Sequence, residues 1–173
     1  MLRSWFKEWV QEGHELAKRG EYEALLGQIE EVRQQELTHE ERVMLDNDRA
    51  WALLELGRGE EAVELAEAVL ARVPSEEAWL VTWARGTFGA ALAVAGYLED
   101  AIEVLDEVLK HAQKSPWLAS ARWFYRGYAL FELDRRDEAR DSWRRAREVD
   151  PGGLYGERAW ARLRELDNVT PYR

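Results

Sequence analysis

The chain has 173 residues, a formal net charge of −10 and no cysteine. Its length suits one domain or one short repeat array with a buried core, and the lack of cysteine excludes disulfides, thiolate nucleophiles and cysteine-ligated metal centres. The acidic balance argues against a nucleic-acid binder, which needs a basic face for phosphates. Charges interrupt the first residues, unlike a secretory signal, and the longest uncharged run, residues 86–98, is too short to span a bilayer. We therefore expect a cytoplasmic protein that binds neither nucleic acid nor membrane.

Helical signals follow one another along the chain. Apolar residues recur at three- and four-residue spacing almost throughout, and no segment alternates as a strand does. Thr38 with Glu41 forms a capping box, which predicts a helix start. Ser115 before Pro116 predicts another start, because proline fits the first turn of a helix. The run DPGG at residues 150–153 predicts a stop. The sequence is that of an all-α protein.

A pattern of small and apolar residues occurs four times. In the last copy it consists of Gly127, Leu130, a turn at Asp134, Ala139, Trp143, Ala146 and Pro151. The same spacing starts at Gly13, Ala50 and Gly89, at intervals of 37, 39 and 38 residues, and the third copy has Gln113 in place of the final proline. A small residue within a helix lets a neighbouring helix approach closely, and a glycine turn ends a helix in a left-handed conformation. Each copy therefore predicts an antiparallel helix pair, which buries its apolar face only by stacking on the next pair.

The pattern resembles the tetratricopeptide repeat family, most strongly where Trp123, Gly127 and Leu130 precede Ala139 and Trp143. The resemblance covers about residues 3–153, although the units exceed the family's usual length of about 34 residues. It implies one domain, a right-handed solenoid of four antiparallel helix pairs, with units at about 3–37, 38–74, 75–114 and 115–153. Residues 154–168 then form a capping helix, whose apolar stripe is Trp160, Leu163 and Leu166.

Patterns that carry catalytic or metal-binding chemistry are incomplete in this sequence. His14 and His39 each begin a zinc-helix motif, but Lys18 and Val43 occupy the positions of the second histidine. Residues 46–48 (DND) lack the glycine and the final glutamate of a calcium loop. No glycine-rich phosphate loop or nucleophile elbow is present. We therefore expect a non-enzymatic protein without catalytic residues, metal or cofactor.

The resemblance also implies a binding face. In this family the first helix of each pair lines a concave face that contacts peptides. By register, the predicted partner-binding residues here are Asn47, Asp48, Trp51, Glu55, Trp83, Thr87, Phe124, Tyr125, Tyr128 and Phe131. Most are aromatic or apolar, and Asp48 and Glu55 add an acidic edge. The predicted function is that of an interaction module or scaffold, which binds an apolar or amphipathic segment of a partner protein as a helix or an extended peptide.

Two alternatives to a partner protein could also bury these aromatic rings. A stripe of rings at helical spacing also forms cores, and the C-terminal helix could lie over Phe124, Tyr128 and Phe131. A second copy could cover them instead, because residues 1–114 carry a net charge of −12 and residues 115–173 carry +2. The alternative function is therefore a self-associating structural protein. An enzyme or small-molecule regulator with an apolar ligand is the remaining hypothesis. Few Asn, Cys and Met beside many Glu and Arg are typical of thermophilic proteins.

Overall fold

The apolar spacing of three and four residues produces helices along the whole described chain. The structure, a computed structural model, describes residues 2–111 and 115–169. Over these ranges it has no strand, and its helices are α1 (Ser4–Arg19), α2 (Tyr22–Val32), α3 (His39–Glu55), α4 (Gly59–Leu70), α5 (Ala78–Ala95), α6 (Leu98–Leu109), α7 (Pro116–Glu132), α8 (Arg136–Val149) and α9 (Leu154–Val169). The predicted all-α class is confirmed. Gln113, where the repeat departs from its final proline, lies outside the described residues.

Two of the predicted helix starts show how the sequence fixes these boundaries. The Thr38 side chain accepts a hydrogen bond from the Glu41 amide at 3.2 Å, and the Thr38 amide donates to the Glu41 carboxylate at 3.0 Å. This reciprocal capping box satisfies two amide groups that the first turn of α3 leaves without helical partners. Pro116 occupies the first turn of α7, whereas the Ser115 side chain makes no capping hydrogen bond.

Left-handed residues end the first helix of each pair. Gly20, Gly57 and Gly96 have φ angles of 76°, 75° and 91°, and Asp134 takes the same role with a φ of 58°. Glycine adopts this conformation without steric cost, and aspartate tolerates it better than most other residues. Each turn folds the second helix back onto the first, and successive pairs then pack against each other, so that α3, α5, α7 and α9 lie in a row.

Gly127 allows the closest crossing within the fourth pair. A Cβ atom at Gly127 would lie 2.6 Å from both Cδ1 and Nε1 of Trp143 on α8, a ring that is 1 % exposed. The same Nε1 donates to the backbone carbonyl of Phe124 at 3.2 Å, which holds the indole against α7. The glycine therefore makes room for a rigid, buried ring between the two helices.

α9 closes the C-terminal end of the stack against α7 and α8. Its buried face consists of Tyr155, Ala159, Leu163 and Leu166, which recur at three- and four-residue spacing. Trp160, which the sequence places in the apolar stripe, is 42 % exposed instead, with the Arg147 guanidinium 4.0 Å from its ring centroid. Leu163 and Leu166 are thus buried as predicted, whereas Ala159 takes the place of Trp160 in the buried stripe.

Tyr155 inserts a fully buried ring into the row of first helices. Its ring centroid lies 5.5–6.0 Å from those of four other aromatic residues, Trp51, Trp117, Phe124 and Tyr125. Edge-to-face and tilted arrangements at such distances add about 0.5–1.5 kcal/mol per pair to the energy of burial. The capping helix is therefore bound by an aromatic cluster that spans α3, α7 and α9.

The Glu55 carboxylate holds the polar side of this cluster. Oε1 accepts from the Tyr125 hydroxyl at 2.6 Å and from the Tyr155 hydroxyl, and Oε2 accepts from Arg158 Nη1 at 2.7 Å. The Tyr155 hydroxyl also lies 3.0 Å from that of Tyr22 on α2. Burial raises the pKa of Tyr125 and Tyr155 well above the usual value, so both phenols stay protonated and able to donate. The Glu55 side chain is only 2 % exposed, but its charge is compensated by these donors.

We predict that Gly127→Ala lowers the free energy of unfolding, whereas Gly27→Ala raises it. At Gly127 the overpacking cost of about 1–3 kcal/mol exceeds the gain in helix propensity. Gly27 is an exposed residue within α2, and a Cβ there meets nothing within 4 Å, so the gain of about 0.5–1 kcal/mol from helix propensity remains. Urea unfolding of both variants measures whether each substitution lowers or raises the free energy of unfolding. A Gly127→Ala variant as stable as the wild type would contradict the tight crossing.

We predict that Tyr155→Phe lowers the free energy of unfolding by about 1.5–3 kcal/mol, the usual contribution of a hydrogen bond to a charged group. The ring and its packing remain, but Glu55 loses one donor in a buried place. Tyr97→Phe is the matched control, because Tyr97 is 47 % exposed and its hydroxyl lies 3.5 Å from Glu60. Urea unfolding should show a change below about 0.5 kcal/mol for the control. Equal effects of the two substitutions would mean that the Glu55 network does not hold α9.

Candidate functional site

The predicted partner-binding residues all lie on first helices. Asn47, Asp48, Trp51 and Glu55 are on α3, Trp83 and Thr87 on α5, and Phe124, Tyr125, Tyr128 and Phe131 on α7. The structure brings several of them together in two places. One is the aromatic cluster around Tyr155, and the other is a small cavity beside Trp51 and Trp83.

Six of these ten residues are buried, namely Asn47, Asp48, Trp51, Thr87, Phe124 and Tyr125. α9 helps to bury three of them, because its Tyr155 ring packs against Trp51, Phe124 and Tyr125. The Glu55 carboxylate faces the same side chain. The part of the face around Tyr155 is therefore closed by the chain itself in this structure.

Three of the predicted residues are half-buried. Trp83 lies in the first half of α5, and Tyr128 and Phe131 lie near the end of α7. The Phe131 ring packs on Trp143 of α8, with 5.6 Å between the ring centroids. Burial raises the pKa of Tyr128, with the Arg162 charge of α9 acting in the opposite direction. These two residues are therefore close to α8 and α9, at the opposite end of the face from Trp83.

Two polar side chains of α3, Asn47 and Asp48, line the small cavity. It measures about 20 Å³, and Asn47, Asp48, His14 and Trp117 are among its lining residues. Asn47 is 1 % exposed and Asp48 is 6 % exposed. Both polar atoms of the Asn47 amide and Oδ2 of Asp48 have no hydrogen-bond partner in the described part of the chain. Burial raises the pKa of Asp48 to about 6, although His14, whose Nε2 lies 3.9 Å from Oδ1, acts in the opposite direction.

A larger groove of about 670 Å³ adjoins this cavity through their shared residues His14, Trp83 and Leu118. Trp79 and Trp83, four residues apart on α5, stack in this groove with 6.2 Å between ring centroids and an interplanar angle of 21°. Trp79 is 42 % exposed. The groove is thus an open apolar surface that α9 does not cover.

Arg122 of α7 lies in the wall of this groove although it is only 4 % exposed. Its Nη2 donates to the backbone carbonyl of Thr82 on α5 at 3.2 Å. Gly86, one turn further along α5, leaves the space for the guanidinium, because a Cβ there would lie 2.3 Å from Nε. Burial lowers the pKa of Arg122 to about 10, which leaves the side chain charged at neutral pH.

Trp79, Leu118 and Arg122 are among the groove residues that the register of first helices does not single out. A signal for them was present in the sequence, because Trp79 and Trp83 are four residues apart, as are Leu118 and Arg122. Tyr155 was detectable in the same way from its spacing to Ala159 and Leu163. Each signal gives a helix face only, and the element that this face meets depends on the folded chain.

Within the described ranges, no group of three or more His, Asp or Glu residues could hold a metal ion. Among the same residues, no helix is long and apolar enough to cross a membrane.

Comparisons with known proteins agree with the helix-pair architecture. The family model described as tetratricopeptide repeat matches residues 120–152, which lie within α7, α8 and the turn after α8. No curated protein matches the sequence.

Solved structures of MamA have a similar fold. A MamA point mutant is 23 % identical with a TM-score of 0.51, over 94 % of this chain and 88 % of that one. MamA from Desulfovibrio magneticus RS-1 is 18 % identical with a TM-score of 0.51, over 99 % of this chain and 100 % of that one. At these identities the likeness concerns the fold. The chain therefore contains one matched tetratricopeptide repeat, at residues 120–152, within a helical fold similar to that of MamA.

Proposed function

We propose that this protein is a non-enzymatic interaction module, which binds an apolar or amphipathic segment of a partner protein in the groove beside Trp79 and Trp83. The observation that carries the proposal is the stacked tryptophan pair. The chain buries Trp51, Phe124 and Tyr125 against its own Tyr155, yet it leaves Trp79 and Trp83 partly open at a groove of about 670 Å³. Tryptophan rings are the most frequent anchors of protein interfaces, because they bury much area at little cost in side-chain entropy.

The proposed site covers only part of the predicted concave face. α9 occupies the region around Trp51 and Tyr125. The partner segment therefore lies over the first halves of α5 and α7, where Trp83 and Leu118 line the groove. Of the predicted residues, Trp83 is the anchor that this proposal retains.

The bound partner segment needs no basic residue to pair with the predicted acidic edge, Asp48 and Glu55. The Glu55 carboxylate already accepts hydrogen bonds from Tyr125, Tyr155 and Arg158. Asp48 is buried beneath the groove rather than at its rim. We propose that both carboxylates have a structural role and that apolar contacts supply most of the binding energy.

A second copy of this chain could supply the bound segment, which would make the protein a self-associating scaffold. The acidic N-terminal units and the arginine-rich C-terminal end favour this arrangement by charge. Sedimentation velocity across protein concentration separates the two cases. A dimer or polymer lost on Trp83→Ala indicates a second copy, and a monomer at all concentrations indicates a different partner.

We predict that peptides selected on the wild-type protein from a random display library bind Trp79→Ala and Trp83→Ala at least about tenfold more weakly, a loss of about 1.4 kcal/mol or more. Trp160→Ala is the matched control, because Trp160 is also 42 % exposed but lies on α9 away from the groove. Isothermal titration measures the affinities, and urea unfolding confirms that each variant is folded. Peptides that bind all three variants as well as the wild type would contradict the proposal.

We also predict a pH-dependent difference in stability between Asp48→Asn and the wild type. Because the pKa of Asp48 is raised in the folded state, to about 6, the folded protein binds this proton more tightly than the unfolded chain does. The wild type therefore loses this contribution as the pH rises from about 4 to above 6, by at most about 3 kcal/mol, and the variant does not.

Urea unfolding of both proteins at several pH values between 4 and 7 measures this difference, which should grow with pH in favour of the variant. The selected peptides should bind Asp48→Asn within about twofold of the wild type, since Asp48 lies beneath the groove. A stability difference that is constant over this pH range would show that Asp48 is not buried as described.

A further inference from the structure

Arg122 is the one buried cation of the groove wall, within the described residues, whose charge the chain does not compensate. Burial lowers its pKa, and no described carboxylate forms an ion pair with it. The undescribed residues contain no Asp or Glu. Its one hydrogen bond in the described part of the chain goes to a neutral carbonyl, that of Thr82. A guanidinium has five N–H groups, so donors remain for another acceptor.

Two buried carboxylates of this protein, in contrast, are paired with arginines. Glu41, fully buried, is paired with Arg3, and this guanidinium holds the pKa of the Glu41 carboxyl down at about 2. Glu55 is paired with Arg158 at 2.7 Å. Removing a charge from water without a partner is costly, so the contrast at Arg122 requires an explanation. The groove that it lines is the place from which a partner charge could reach it.

The position of Arg122 decides how a ligand reaches it. The side chain extends from α7 to the Thr82 carbonyl on α5, so the guanidinium bridges two of the helices that line the groove. Trp83 lies beside it on α5, and Leu118 lies one turn before it on α7. A segment bound between these apolar side chains places one of its own side chains over the guanidinium.

We propose that Arg122 binds the carboxylate of an aspartate or glutamate side chain within the apolar segment that the groove accepts. This inference rests on the proposed function and adds the charge of the partner. A monoanion fits better than a phosphate group, because one guanidinium faces the groove while Glu76 and Glu77 also line it and repel a second negative charge. An ion pair that is shielded from water and has planar geometry suits arginine and carboxylate well.

The test uses short synthetic peptides with acetylated and amidated ends, so that no terminal charge contributes. Their apolar sequence is that of the best display-selected peptide, and its central position holds Glu, Gln or Lys. Affinities are measured by isothermal titration for the wild type, for Arg122→Met and for Arg126→Met. Arg126 is the matched control, because it lies one turn along α7 and is already paired with Asp106.

We expect the wild type and Arg126→Met to bind the Glu peptide at least about tenfold more tightly than the Gln peptide, and the Lys peptide most weakly. Arg122→Met should bind the Glu and Gln peptides equally, and Arg122→Lys should keep part of the preference. Because Arg122→Met removes an uncompensated buried charge, its urea midpoint should equal or exceed that of the wild type. A lower midpoint with an unchanged Glu preference would show a purely structural role and overturn the inference.

The remaining outcomes separate this inference from the proposed function. Equal binding of the Glu and Gln peptides by the wild type, still weakened by Trp83→Ala, overturns the role of Arg122 and leaves the groove as a binding site. A preference that arises only when the peptide has a free C-terminal carboxylate overturns the assignment to an internal side chain. Binding that no groove substitution weakens overturns both proposals.

Discussion

The Glu55 carboxylate joins three helices that lie far apart along the chain. It stands at the end of α3 and accepts hydrogen bonds from Tyr125 of α7 and from Tyr155 and Arg158 of α9. A buried carboxylate is costly unless its oxygens are satisfied, so these donors and this acceptor require one another. The network therefore fixes the position of α9, and the position of α9 decides which part of the first-helix face stays open.

The closed part of the first-helix face, around Glu55, and the open groove differ in whether their buried charged groups are paired. Around Glu55 the buried carboxylate is paired with Arg158, and the hydroxyls of the packed rings Tyr125 and Tyr155 donate to it. At the groove, Arg122 is as deeply buried but has no such partner in the described residues, and Asp48 has only His14, whose Nε2 lies 3.9 Å from Oδ1. A face completed within the chain adds to the stability of the monomer, whereas uncompensated groups at an open groove lower it. We therefore propose that the groove is a binding surface, at which a partner supplies the missing charge.

The repeat architecture could be predicted because its determinants are local. Gly127 has no Cβ at the point where α7 meets Trp143. Gly57 and Asp134 turn the chain between the two helices of a pair. Such requirements recur at fixed spacing and are visible in one sequence. The burial of Trp51 and Tyr125 was not predictable in this way, because it depends on α9, which meets α3 only through the folded stack. Periodicity gives the face of a helix, but the neighbour of that face is a tertiary property.

The same distinction explains why the groove differs from the predicted site. The family register selects positions by their spacing from the small residue of each first helix, and it includes Trp83 but not Arg122. Arg122 reaches the groove only because Gly86 on the neighbouring helix leaves room for its guanidinium. The sequence of α7 alone therefore does not show that Arg122 lines the groove, because this depends on the space at Gly86 of α5. If the groove binds an acidic, apolar segment, its specificity comes from this pair of residues on α5 and α7, and a change of Gly86 to a larger residue would displace the guanidinium without touching the ligand. Selectivity for charge would then depend on a residue that itself carries no charge.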